Sequence, residues 1–288
     1  MNSLGKIVIG IALLGLPWTG RAQQVPADDA EFPSPERGAP VAEVGLPMPS
    51  EHFAPPAYGH YPQTWAVTQD SRGIIYVANY DGILEYDGES WRLIPTPSSK
   101  YVRSLVTAHD GTIYAGTSGD VGMLQPDSVG VMRYVSLYDH IPEAHQGFKD
   151  VWSTLSTPAG VYFQSNERLF RWDGSSITAW ESEEGFHTAF EVRDELYVRD
   201  FRDGLLKMVG DSLQRVPGGA RFADTPVLAM VPFPGGGTLI GTSRSGLYLF
   251  DGQSIRPFET DAQPFLDEYE LYHGTALSSG HAALATIG

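Results

Sequence analysis

Apolar and polar positions along this chain recur in groups of four short runs, and the second run of each group is the most apolar. These second runs read GIIYVAN (Gly73–Asn79), GTIYAGT (Gly111–Thr117), GVYFQS (Gly160–Ser165), ELYVRD (Glu195–Asp200) and GTLIGT (Gly237–Thr242). A sixth copy, HAALAT (His281–Thr286), follows near the C-terminal end. Aligning Tyr76, Tyr114, Tyr162, Tyr197, Leu239 and Ala283 gives steps of 38, 48, 35, 42 and 44 residues. The fourth runs alternate instead, as edge strands with one wet face do, whereas the second runs suit strands buried on both faces. A period of about 40–45 residues with four strands per unit predicts the blades of a β-propeller. One such sheet cannot bury both faces alone, so the blades must stack around an axis.

Blade one is predicted to begin at Thr64, with TWAVTQD, IIYVAN, GILEYDG and SWRLIP as its runs. Blade two runs from Val102 to Leu137, blade three from Val151 to Ser182, blade four over Ala189–Gly218 and blade five over Val227–Thr260. Asp87-Gly88, Asp127-Ser128, Asp173-Gly174, Gly210-Asp211 and Asp251-Gly252 separate third from fourth runs, and predict two-residue hairpins with positive φ rather than calcium loops. The fold class is therefore all-β, a propeller of four-stranded antiparallel blades with five complete blades and the start of a sixth. The break at Gly288, inside a strand motif, reads as the front of a seven-bladed ring; a five-bladed ring sealed by both termini is the alternative. Helix is expected to be nearly absent beyond the N-terminus.

Composition narrows the partners. The 288 residues carry 19 Lys plus Arg against 35 Asp plus Glu, a formal charge of −16, which repels nucleic-acid phosphates. With no cysteine, disulfides, thiolate nucleophiles and Cys-bound zinc are excluded together. At the N-terminus, Lys6 precedes the apolar run Ile7–Leu16, then Pro17 and the small residues Gly20 and Ala22. That run is too short to span a bilayer and reads as a signal peptide over residues 1–22, cut before Gln23, so the mature chain is expected to be exported. Residues 23–60 hold eight prolines and read as an extended leader, with Phe32, Phe53 and Tyr58 packing along the propeller flank. Residues 61–288 form the propeller.

Catalytic chemistry is sparse. Gly241-Thr-Ser-Arg-Ser and Gly116-Thr-Ser-Gly miss the Gly-x-Ser-x-Gly elbow, and no His-Glu-x-x-His occurs. His140, Glu143 and His145 share a long loop that is read as solvated rather than metal-binding, and Glu183-Glu184 and Asp267-Glu268 as wet acidic loops. No catalytic residue, metal or cofactor is expected. The tips joining second to third runs carry polar and aromatic residues: Asn79, Tyr80, Asp81, Asp120, Arg202 and Arg244. Ring closure is expected to bring these tips around one axial pocket suited to a small polar ligand such as an oligosaccharide. The longest inter-blade loops, Tyr138–Asp150 and Glu259–Glu270, are the other places where function would concentrate.

The set Tyr58-Gly59, Pro62-Gln63, Trp65, Gln69-Asp70, Gly73 and Tyr76, with Gly82–Gly88, Trp91 and Leu169–Gly174, resembles the two-component-regulator propeller family. The likeness covers roughly Tyr58 to Gly288, and blade four departs from it at Val209-Gly210-Asp211 and Asp200. It implies an N-terminal extracytoplasmic sensor on the periplasmic face of the inner membrane of a Gram-negative bacterium. Further blades, a three-tyrosine domain, a membrane helix and a cytoplasmic output such as a histidine kinase would follow downstream. The likeness thus implies no enzyme in this segment, membrane attachment only through that later helix, and oligomerisation left to the full-length protein. Two rival readings stand beside it: an exported propeller lyase or glycosidase, and a surface scaffold that binds proteins.

Overall fold

The computed structural model describes residues 53–97, 100–277 and 280–287, together with the backbone of Ile7–Ile11. The remainder of the predicted signal peptide, most of the predicted leader and Phe32 lie outside the described residues. The elements run β1 (Ile7–Ile11), α1 (Pro55–Tyr58), then blade one as β2 (Thr64–Gln69), β3 (Ile75–Asn79), β4 (Gly82–Tyr86) and β5 (Trp91–Ile94). Blade two is β6 (Val102–Thr107), β7 (Ile113–Thr117), β8 (Asp120–Pro126) and β9 (Met132–Ser136). Blade three is β10 (Val151–Thr157), β11 (Gly160–Ser165), β12 (Arg168–Trp172) and β13 (Ile177–Glu181). Blade four is β14 (Phe186–Val192), β15 (Glu195–Asp200), β16 (Gly204–Val209) and β17 (Ser212–Arg215). Blade five is β18 (Val227–Pro232), β19 (Thr238–Thr242), β20 (Leu247–Phe250) and β21 (Ile255–Phe258). After α2 (Gln263–Glu268) come β22 (Glu270–Ala276) and β23 (Ala282–Ile287).

Each of the five blades is an antiparallel meander in chain order, and the first strands of successive blades lie side by side around the axis. Apolar clusters fill the spaces between blades; Tyr76, Ala78 and Ile83 of blade one meet Val102, Leu105 and Ala115 of blade two, for example. The aligned residues Tyr76, Tyr114, Tyr162, Tyr197, Leu239 and Ala283 occupy one register, each paired with the third first-strand residue after a one-residue register shift. Phe53 and Tyr58 pack on Trp91 of the outermost strand of blade one, 5.3 and 5.7 Å between ring centres. The face that every later blade buries against its predecessor is bare on blade one. Val67 there is 68% exposed, while its counterparts Leu105, Thr154, Ala189 and Met230 are buried. In the sixth sheet β22 and β23 are antiparallel, and Ile7–Ile11 adds in parallel to the far edge of β23.

Three expectations need correction. Blade four starts at Phe186 rather than Ala189. A bulge at His187 shifts the in–out parity, so Phe186 and Ala189, three apart, are both buried and alternation fails as a guide. The turns after β4, β12 and β20 span four residues, not two: the Asp87, Asp173 and Asp251 carboxylates accept backbone N–H groups from two and three residues ahead. Those donors hold the carboxyls of all three below the usual Asp range. Of the five turns between third and fourth strands, Gly210-Asp211 alone spans two residues, while Gly88, Gly174, Gly210 and Gly252 all take the expected positive φ. Helix is confined to short pieces, of which α2 lies in a stretch read as plain loop.

Candidate ligand-binding mouth at the strand bulges

Every first strand carries one extra residue at the same place. The pairing skips Trp65, Arg103, Trp152, His187, Leu228 and Tyr272, the first five one residue inside the strand start and Tyr272 two. A bulge leaves its extra residue unpaired and re-aims the side chain. Because first strands line the axis, the bulges form an arc of side chains at one end of the channel. The strand starts pair with the ends of the second strands (Thr64 with Asn79, Val102 with Thr117), so this is also the end that bears the second-to-third tips.

In blades one to three the arc is continuous. The Arg103 guanidinium sits 4.1 Å from the Trp65 ring centre and 4.6 Å from that of Trp152, between the two bulge tryptophans. Tyr101 gives a third face at 4.7 Å. Asp150 fixes the fork, accepting from Nε at 3.1 Å and Nη2 at 3.0 Å, while its other oxygen takes the Tyr101 hydroxyl at 2.9 Å. Each cation–π contact is worth about 0.5–2 kcal/mol, so Arg103 is pre-organised rather than mobile. Tyr101 stacks on Tyr80 at 5.6 Å, and Tyr80 meets Tyr61 at 4.6 Å. Trp152, Tyr61 and Tyr80 remain 44–50% exposed, so the array offers open aromatic faces beside a held cation.

The six residues expected from sequence fall into different roles. Tyr80 joins the aromatic array. Asn79 is fully buried, its amide donating to the carbonyls of Tyr61 and Gln63 while its oxygen accepts the Asp81 N–H. Asp81 accepts the Tyr61 N–H and faces His60 at 3.3 Å, which anchors the segment entering blade one. Asp120 is buried and takes the Ser136 hydroxyl; burial raises its pKa, opposed by that bond and by Lys100. Arg202 pairs with Glu183 and Arg244 with Glu270, each linking a tip to the strand entry of its own or the next blade. Sequence reasoning missed Arg103, Trp152, His187 and Tyr272. Their signal is a large residue followed by a smaller one at each first-strand start: Trp65-Ala66, Arg103-Ser104, Trp152-Ser153, His187-Thr188.

The long-loop histidines diverge. His140 lies edge-on to Trp172, and His145 bonds Glu181 at 2.8 Å. Among the described residues no group of three or more His, Asp or Glu could hold a metal ion. At the opposite end of the molecule, blades four and five enclose a cavity of about 500 Å³ lined by Arg193, Glu195, Tyr197, Lys207, Thr238 and Phe250. Its polar groups satisfy one another: Glu195 accepts from Lys207 at 2.6 Å and from Tyr197 at 2.8 Å. Burial and the Glu195 carboxylate push the Tyr197 pKa up. For Glu195, burial is outweighed by the Lys207 and Tyr197 bonds, which hold its pKa down. A tightly held phenol proton beside an ionised carboxylate is a poor acid–base pair at neutral pH.

This chain is an all-β propeller. No family model matches the sequence, and no curated protein matches it. Among solved structures it resembles virginiamycin B lyase from Staphylococcus aureus, with TM-score 0.56 and 12% identity over 77% of each chain. PorZ, a bacterial surface component of the type-IX secretion system of Porphyromonas gingivalis, gives TM-score 0.54 and 12% identity, over 75% of this chain and 36% of PorZ. The extracellular domain of BT4673 from B. thetaiotaomicron, assigned to a hybrid two-component system, gives 0.45 and 15%, over 77% of this chain and 36% of that one. At such identities the likeness establishes the fold and nothing finer. No helix among the described residues is long and apolar enough to cross a membrane.

Proposed function

We propose that this chain is the extracytoplasmic ligand-binding propeller of a bacterial transmembrane signalling protein, and that it holds a small oligosaccharide at the bulge-lined mouth. The observation that carries the reading is the Trp65–Arg103–Trp152 sandwich with Asp150 behind it. Exposed indole and phenol faces stack on sugar rings, and a fixed guanidinium fork takes paired hydroxyls. The polar tips at Tyr80, Asp81, Arg202 and Arg244 rim the same end and would make the outer contacts. The bare face around Val67 supports further blades completing the ring. Removal of residues 1–22 on export would leave the far edge of β23 free, and N-terminal sequencing of the secreted protein should begin at Gln23. The binding test is calorimetric titration of the full chain with a panel of oligosaccharides, repeated with Trp152→Ala. Loss of one stacking face should weaken binding about five- to thirtyfold, worth about 1–2 kcal/mol. Unchanged affinity in the variant places the ligand elsewhere.

A further inference from the structure

The mouth has a second, chemically different sector at blades three to five. The second-strand residue paired with the first residue after each bulge is small in four blades: Ala78, Gly116, Gly241 and Ala285. In blades three and four it is Gln164 and Arg199. Both are almost fully buried, 1% and 3% exposed, and each keeps an unpaired polar atom: Gln164 Oε1 and Arg199 Nη1. Arg199 donates through Nε to the Phe222 carbonyl at 2.9 Å and through Nη2 to that of Ala223. No carboxylate among the described residues lies within ion-pair distance of it. Asp200 and Asp224 act only at longer range, and Asp200 accepts the N–H groups of Arg202 and Asp203. A buried cation without an acid costs several kcal/mol, and the other blades show that a small residue fills this position.

The cover over that cation is thin. The guanidinium lies 4.7 Å from the Phe201 ring centre, and Phe201 is 38% exposed at the mouth. The bulge residue His187 meets the same ring at 5.6 Å. One aromatic side chain at the surface therefore separates an unpaired donor from the site proposed above. We propose that Arg199 is the anchor for a carboxylate on the ligand, so that the mouth takes an acidic sugar. Phe201 turns aside, Nη1 donates to a carboxylate oxygen, and neighbouring rings stack on Trp152. This rests on the mouth being the ligand site, and it names the ligand's charge.

The test compares trigalacturonate, neutral galactotriose and acetate at constant ionic strength, using the full chain and Arg199→Gln. Affinity is read by calorimetry, and anion entry separately by the His187 imidazole resonances. Trigalacturonate should bind at least tenfold more tightly than galactotriose, a preference lost in Arg199→Gln, and acetate should shift His187 in the parent protein alone. Equal affinity for the two sugars with a silent His187 overturns the anchor and leaves the mouth reading standing. An acetate response at His187 with no sugar bound supports the anchor and overturns the oligosaccharide reading. If Arg199→Gln does not fold, the sugar pair and the acetate titration on the parent protein decide alone.

Discussion

The junction between blades two and three and the junction between blades four and five solve the same packing problem in opposite ways. At the first, Gly116 faces the next blade so closely that a Cβ would stand 2.4 Å from Val151 and 2.5 Å from the Ser104 hydroxyl. Ser104 there donates to the Val151 carbonyl and meets the Thr154 hydroxyl at 2.7 Å. At the second, Thr188 keeps the equivalent bond, to the Val227 carbonyl at 2.8 Å, but Arg199 stands at the register position where blade two has glycine. β14 and β18 approach each other closely over a shorter stretch than β6 and β10 do. Close packing makes one seam a structural joint, and a polar wedge makes the other a place where a ligand group can enter.

That contrast can be broken most violently at Gly116. Gly116→Leu should cost about 3 kcal/mol or more, because a rigid neighbouring blade cannot give way, and urea unfolding measures it. A loss below about 1 kcal/mol would mean that the seam is loose after all. At the open seam two variants sharpen the difference. Arg199→Ala should cost about 2 kcal/mol through lost stem packing and two lost donors. Arg199→Met, which keeps the stem and removes the uncompensated charge, should be neutral or stabilising. If the methionine variant is as unstable as the alanine one, the cation belongs to the fold rather than to a ligand. Trp152→Ala, at an exposed bulge, should cost about 0.5–1 kcal/mol through the lost Arg103 contact and leave the chain folded while weakening sugar binding, so the affinity loss is not a loss of fold.

The smallest effect lies at His187. Burial, and then the nearby Arg199 charge, hold its pKa below the ordinary 6.5. The folded chain thus binds that proton less readily than the unfolded chain does. Its contribution is full above pH 6.5 and is lost as pH falls through the lower folded value. Arg199→Met should raise the His187 pKa in an NMR titration and make the acid-side loss of stability shallower. No movement of the pKa would place Arg199 too far from His187 for the two to share a site.

How far the chain could be read follows from the range of each interaction. Blade period, the register of Tyr76 and its counterparts, and burial of the second strands are local patterns repeated often enough to reinforce one another. Phe53 and Tyr58 could be placed on the flank because a proline-rich entry offers aromatics little else to cover. The Asp-Gly turns were recognisable as turns, but their length depends on which N–H groups a carboxylate captures, and residue identity alone does not set that. For the mouth, Tyr80 was found because tip residues are contiguous in sequence, whereas Arg103 and Trp152 sit inside strands whose alternation a bulge interrupts.

The sequence by itself determined the architecture, since a repeat of thirty-five to forty-eight residues of apolar patterning admits one way of burying four-stranded sheets. It also determined the acidic surface and the absence of thiol chemistry. Only the tertiary structure decided which side chains meet. Trp65, Arg103 and Trp152 lie in three different blades and touch because first strands crowd the axis while a bulge turns each residue toward its neighbours. Likewise, the text of the second strands does not distinguish Gln164 and Arg199 from any other buried polar residue. Their meaning comes from the packing: the connection leading into the next blade supplies carbonyls to Arg199 and no acid, and leaves one donor unpaired just below the mouth.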